Sequence, residues 1–194
     1  MSQLVSDVAI VWRRADKSGH EFCTLGHSDG APKLTGVAIL SNDGTPCCLQ
    51  YTISCDSQWR TLLCRLTGYI GKRAITLDIR REEQQWLMNG VDVPAVSGSE
   101  DIDLGFSPST NLLPIRRLAL KVGEHAAVRA AWVRFPELTL ELLEQSYTRI
   151  ASDCYRYESA GGGDGGGAFQ RDLKVDENGF VLEYPDLWYA ESHA

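Results

Sequence analysis

The chain lacks the long apolar runs that mark a membrane-spanning helix: no stretch approaches the roughly 18 residues needed. No secretory leader is expected either. Met1-Ser-Gln-Leu-Val-Ser-Asp7 is followed by only a short apolar run, Val8 to Trp12, and then Arg13 and Arg14. A leader needs about 7–15 uninterrupted apolar residues. The expectation is a cytoplasmic protein whose six cysteines stay reduced. Basic charge is also scarce, with 19 Lys+Arg against 26 Asp+Glu and a net charge of −7. Such a surface cannot release the counterions that drive nucleic-acid binding, so nucleic acid is excluded as a general partner.

Catalytic and metal signatures are equally sparse. There is no Gly-x-Ser-x-Gly elbow. His20, His27, His125 and His193 show neither i,i+4 spacing nor the acidic companion of a zinc-binding helix. Cys47 and Cys48 are adjacent, so on a strand their thiols leave on opposite faces and cannot form a Cys-x-x-Cys pair. Buried free thiols are expected for all six cysteines, with no metal, no cofactor and no assigned catalytic residue.

What remains is ordinary globular material, 43% hydrophobic and 23% charged over 194 residues. A chain of this size buries roughly 70% of its unfolded surface and needs no cross-link to fold, which fits one domain over 1–194. Period-two alternation dominates. Between Cys47 and Cys55 the odd positions read Cys, Leu, Tyr, Ile, Cys, and the even ones are mostly polar. Ile75, Leu77 and Ile79 repeat the pattern within Arg73–Arg80. Asn89-Gly90 between two apolar runs predicts a hairpin with a type I′ turn, and a further hairpin is expected at Asp176-Glu-Asn-Gly179, between Leu173-Lys-Val175 and Phe180-Val-Leu182. Further strands are expected at Val8–Arg14, His20–Gly26, Leu34–Ser41, Trp59–Thr67, Leu113–Val122 and Ala127–Phe135.

Pro136 to Ser152 fits both periods. Leu140, Leu143, Tyr147 and Ile150 fall at helical spacing, but two strands, Leu138–Leu142 and Leu143–Arg149, followed by a hairpin at Ile150–Asp153 are preferred. Gly161-Gly-Gly-Asp-Gly-Gly-Gly167 holds six of the 18 glycines. It lacks the Lys-Ser/Thr close and following helix of a phosphate loop, and reads as a flexible connector.

Three segments concentrate chemistry. In Asp101-Ile-Asp103-Leu104 the two acids share a strand face. Ser107-Pro-Ser-Thr-Asn111 is turn chemistry, and Pro114 suits the first residue of a returning strand. Arg116 and Arg117 would then point to opposite faces, bringing one of them against the aspartates. An ion-paired surface hairpin and an Asp/Arg/Asn cluster lining a ligand cavity are both open readings. Trp132 and Arg134 share a face, so an indole and a guanidinium can cover a sugar or headgroup together. Gln145, Tyr147 and Arg149 place an amide, a phenol and a guanidinium on one strand face, for which an exposed face is the favoured reading.

The run Asp-Ile-Asp-Leu, Ser-Pro-Ser-Thr-Asn and Leu-Pro-Ile-Arg-Arg-Leu over Asp101–Leu118 resembles the bacterial family of putative glycolipid-binding proteins. The resemblance continues through Ala131-Trp-Val-Arg-Phe-Pro136, Gln145-x-Tyr147-x-Arg149, Tyr155-Arg-Tyr-Glu-Ser159 and Tyr184-Pro-Asp-Leu-Trp188. It implies a mainly β fold, a single long antiparallel sheet curled into an incomplete barrel with little helix. That architecture is similar to periplasmic carriers of lipoproteins and glycolipids.

Those carriers work outside the cytoplasm, whereas a cytoplasmic protein would meet its ligand in the cytosol or at the inner leaflet. The expected function is non-catalytic binding of an amphiphile, a glycolipid or related acyl compound. Asp101, Asp103, Asn111, Arg116, Arg117, Trp132, Arg134, Tyr147 and Arg149 are the candidate ligand contacts. The alternatives are an enzyme using Asp and Arg on a sugar or lipid headgroup, or a protein-interaction domain.

Overall fold

A computed structural model of the chain describes residues 6–160 and 168–193; the glycine-rich 161–167 segment lies outside them. Among the described residues fifteen strands form one sheet. Eight run as a meander: β1 Ser6–Arg14, β2 Gly19–Ser28, β3 Ala31–Asn42, β4 Thr45–Cys55, β5 Thr61–Ile70, β6 Arg73–Glu82, β7 Gln85–Met88 and β8 Val91–Asp92. The remainder are β9 Asp101–Leu104, β10 His125–Arg134, β11 Thr139–Ala151, β12 Cys154–Ala160, β13 Ala168–Val175, β14 Val181–Tyr184 and β15 Trp188–His193. Each neighbours the next in sequence, and the two ribbons join where β1 pairs with β15. Every neighbouring pair is antiparallel except β9 with β10, which is parallel.

The sheet curls into an incomplete barrel. Among the described residues no strand ladder closes it, but β9 is fastened across the gap to β5. The Thr61 N–H donates to the Glu100 carbonyl at 2.9 Å, and the Ile102 N–H to Thr61 Oγ1 at 3.1 Å.

Local chemistry explains most of these elements. On β4, Cys47, Leu49, Tyr51, Ile53 and Cys55 are buried, as the alternation requires. The Asn-Gly hairpin between β7 and β8 carries positive φ at both central residues, 52° at Asn89 and 80° at Gly90. In the last hairpin the Asp176 carboxylate accepts the N–H groups of Asn178 and Phe180 at 3.0 and 2.7 Å, while Gly179 takes φ 96°. The ambiguous segment is strand: β11 is continuous from Thr139 to Ala151 rather than split at Leu142, and it turns into β12 as expected. All six cysteines are free, but Cys48 and Cys154 are only half-buried.

The expectation fails at Leu113–Val122. The segment forms a 3-10 turn, Ser109–Asn111, running into helix α1, Leu112–Leu118. Leu112, Leu113 and Ile115 are buried together. Pro114 falls in the first helical turn, where its missing N–H would have had no partner anyway. Ala119 ends the helix in the left-handed region (φ 45°, ψ 42°), its N–H returning to the Ile115 carbonyl. The stretch from Gly105 to Glu124 is therefore the crossover that a parallel β9–β10 pair demands. It enters the concave face as a plug.

Candidate functional site

The plug is held to both walls by polar side chains. On one side, Glu21 of β2 is only 1% exposed. Its Oε1 accepts hydroxyls from Tyr51 and Ser107, both at 2.5 Å. Ser109 Oγ lies 2.8 Å from the Tyr51 hydroxyl and 2.7 Å from Ser107. Glu21 Oε2 has no partner among the described residues. Burial pushes the Glu21 carboxyl up to about 7, against the pull of those hydroxyls and of the Arg14 charge. The tip of the Tyr51 ring rests on Gly36, where any Cβ would collide with it. On the other side, the Asn111 amide donates to the Tyr147 hydroxyl at 2.9 Å. The N–H of Leu104 donates to Thr110 Oγ1 at 3.2 Å, tying plug to β9.

Arg117, on the helix, forms a bidentate pair with the buried Asp101, at 3.0 Å from Nε and 2.6 Å from Nη2. It also reaches Glu100 at 2.8 Å. The pairing expected of a returning strand is thus made, but by a helix. Burial keeps the Asp101 carboxyl above its ordinary value even with Arg117 beside it.

Above the plug the concave face is open, leaving a cavity of about 1040 Å³. Its plug side is polar: Asp103, Ser107 and Asn111. Part of its lining is aromatic, with Tyr157, Phe169 and Tyr184 packed in one cluster. Three stacks of guanidinium on aromatic ring line it as well: Arg134 on Trp132 at 5.8 Å, Arg171 on Phe169 at 4.8 Å and Arg14 on Trp188 at 5.0 Å. Trp132 is seated on Gly105, where a Cβ would come within 2.7 Å of the indole nitrogen.

Asp103 differs from its neighbour on the strand. Its Oδ2 accepts one hydrogen bond, from Gln145 Nε2 at 2.5 Å, and no cation pairs with it among the described residues. Burial lifts its carboxyl to about 6; the Gln145 bond opposes that and the Asp101 charge adds to it.

The chain's candidate residues are thus divided by the fold. Asp103, Asn111, Trp132 and Arg134 line the cavity. Tyr147 stands one hydrogen bond behind Asn111, and Asp101 with Arg117 forms the pair beneath. Arg116 stacks on Trp59 at 5.0 Å. Arg149 donates to the carbonyls of Leu120, Ala151 and Ser152 and lies over Tyr155, so neither arginine lines the cavity. The strand face of Gln145 and Tyr147 is buried, not exposed, because the plug covers it.

Sequence reading passed over Glu21, Glu141, Tyr157, Phe169 and Arg171. Strand phase carried the signal: Glu21 shares the phase of Cys23 and Leu25, and Phe169 that of Arg171.

The sequence model of a family described as putative glycolipid-binding matches residues 9–190. The chain belongs to this family. The same fold recurs in a crystal structure of a DUF1089 family protein from Pseudomonas aeruginosa. That protein is 31% identical, with 91% of this chain and 94% of that chain covered and a TM-score of 0.75. A β-barrel-like protein of the domain of unknown function DUF1849 from Brucella abortus shares the fold alone. It is 11% identical, at a TM-score of 0.55 over 98% of each chain. No curated protein matches the chain. Among the described residues the chain has no helix long and apolar enough to cross a membrane.

Proposed function

We propose that the protein binds an amphiphile, a glycolipid or related acyl compound, in the cavity above the plug. The observation that carries this reading is that one cavity is lined both by the polar groups Asp103 and Asn111 and by the aromatic cluster of Tyr157, Phe169 and Tyr184. A ligand with a hydroxylated head and an apolar chain satisfies both at once. Membership of the family supports the same reading.

The test is native mass spectrometry of the protein purified from a bacterial host, followed by organic extraction of what co-purifies. A discrete bound mass carrying an acyl chain is expected. In a titration series, affinity should climb by roughly 0.8 kcal/mol for each methylene that the aromatic cluster buries. Affinity that stays flat as the chain lengthens overturns the reading.

A second reading, acid–base chemistry on a sugar or lipid headgroup, has one observation in its favour. Asp103 faces a cavity without a paired cation and holds its proton to about 6, within working range of a general acid. Turnover of the extracted ligand by the wild-type protein, abolished in Asp103→Asn, separates this reading from simple binding.

A further inference from the structure

The outer face of the meander is built unlike the outer face of the rest of the sheet. On β1 to β6 the side chains that alternate with the buried ones fall into cross-strand rungs. One rung runs Val11, Phe22, Val37, Gln50, Thr67 and Thr76. The rung on one side of it holds His20, Ile39, Cys48, Tyr69 and Ala74. The rung on the other side holds Ala9, Thr24, Thr35 and Thr52. None of these positions is Lys, Arg, Asp or Glu, in a chain that is 23% charged. Ile39, Tyr69 and Phe22 are nevertheless 60%, 58% and 44% exposed. A sheet with one face on the core ordinarily turns polar, water-seeking side chains outward.

The outer face of β10 to β13 follows that rule. It carries Arg129, Glu144, Arg156, Glu158, Asp172 and Lys174. Arg156 pairs with Asp172 at 2.9 Å, and Lys174 with Glu183 at 3.1 Å.

We propose that the uncharged outer face of the meander packs on the same face of a second copy of the chain, about a two-fold axis running along the strands. This goes beyond the amphiphile reading and does not rest on it, because the face lies on the opposite side of the sheet from the cavity.

The chemistry of the face selects its own copy as partner. A charged group pressed onto it would lose its water and meet no counter-charge, so the partner surface must be uncharged as well. A hydroxyl both donates and accepts, which makes a surface set with Thr24, Thr35, Thr52 and Thr67 complementary to itself. The flanks agree. On the β1 flank Glu191 meets Arg13 at 3.3 Å and His20 at 3.2 Å. On the β6 flank Arg65 and Arg80 share the single carboxylate of Asp78, at 3.3 and 2.5 Å. A two-fold along the strands lays the β1 flank of one copy over the β6 flank of the other. Glu191 is thereby brought towards the flank where guanidinium is in excess.

The size is also sufficient. With strands about 4.8 Å apart and rungs about 6.8 Å apart, the uncharged field measures about 25 by 20 Å, or about 500 Å² per copy. The total of about 1,000 Å² lies where specific interfaces begin, which points to a reversible dimer rather than a permanent one.

The experiment is sedimentation equilibrium of the full chain from about 1 to 200 μM, where a monomer–dimer equilibrium is expected. Ile39→Lys and Tyr69→Lys, at positions already open to water, should each weaken the dimer about tenfold or more and leave urea unfolding unchanged. Ala127→Lys, on the outer face of β10, should leave the dimer as it is. Glu191→Lys should weaken it about threefold, and adding Arg65→Glu to the same chain should restore it. A chain that stays monomeric at the highest concentration overturns the inference, as does a dimer that survives both Ile39→Lys and Tyr69→Lys. A monomer that sediments with phosphatidylglycerol vesicles, and loses them in Ile39→Lys, overturns it too and assigns the face to a membrane.

Discussion

Asp101 and Asp103 stand two residues apart on β9, yet the chain treats them as opposites. Asp101 faces the plug and is matched by a bidentate guanidinium from α1. Asp103 faces the cavity and has a single amide for company. The same contrast runs through the concave interior. At the plugged end, hydroxyl and amide partners come from the chain itself: Tyr51, Ser107 and Ser109 around Glu21, and Tyr147 for Asn111. At the open end, one oxygen of Asp103 and the Arg134 guanidinium have no hydrogen bond from the described residues. A polar group enclosed by its own fold is a stability element, and one whose bonding capacity is held in reserve is available to a ligand.

The largest effect should come from breaking the matched acid. Arg117→Met leaves Asp101 buried and uncompensated and should cost about 3–5 kcal/mol in urea unfolding. Adding Asp101→Asn to it should recover most of that loss. A cost below about 1 kcal/mol would erase the distinction between the two aspartates.

Glu21 comes next. It binds its proton more tightly in the folded chain, at about 7, than its ordinary 4.5 allows. Its contribution to stability is therefore whole below about 4.5 and lost as pH rises through 7. The swing is about 3 kcal/mol for a fully buried group. Glu21→Gln should flatten the decline in unfolding temperature between pH 5 and pH 8. An unchanged slope would mean the carboxyl titrates normally.

Tyr147→Phe is a smaller break. It strands the Asn111 amide and should cost roughly 1–3 kcal/mol.

Asp103→Asn should cost no stability at neutral pH and should raise it, because it removes the charge of a carboxylate that burial disfavours. Its effect belongs to the ligand. Because the ionised carboxylate is the acceptor for a hydroxylated head, wild-type affinity for octyl β-D-glucoside should weaken as pH falls through about 6. The variant should show no such midpoint. Asp101, Tyr147, Tyr157 and Tyr184 also face this carboxyl, and Glu21 lies beneath Ser107. The same titration in Glu21→Gln keeps the two carboxyls apart.

How much of this was legible in the chain depended on the length of each pattern. Strands of about ten residues, such as β4 and β6, announce their phase several times over, and Asn89-Gly90 names its own turn. The plug does not. Its helix is only seven residues long, too short to show a 3.6-residue period, and its Pro114 reads equally well as a strand start. The missed helix hid the reason why β9 runs parallel to β10, and it hid the cover over Gln145 and Tyr147. Glu21 was legible in principle, since it shares the buried phase of β2. A lone acid in that phase looks like an interruption until Tyr51 and Ser107, remote in sequence, are seen around it.

The pairing of β1 with β15 has a consequence for how the protein is made. Ile10 waits for His193 and Arg14 for Trp188, partners that lie almost a whole chain away. At about 5–20 residues per second, the ribosome delivers the last strand roughly 10–35 s after the first. Throughout that interval the eight-strand ribbon presents β1, with its inward-facing Ile10 and Trp12, as a bare edge. Newly made chains are therefore most exposed to chaperones, and to one another, along this seam.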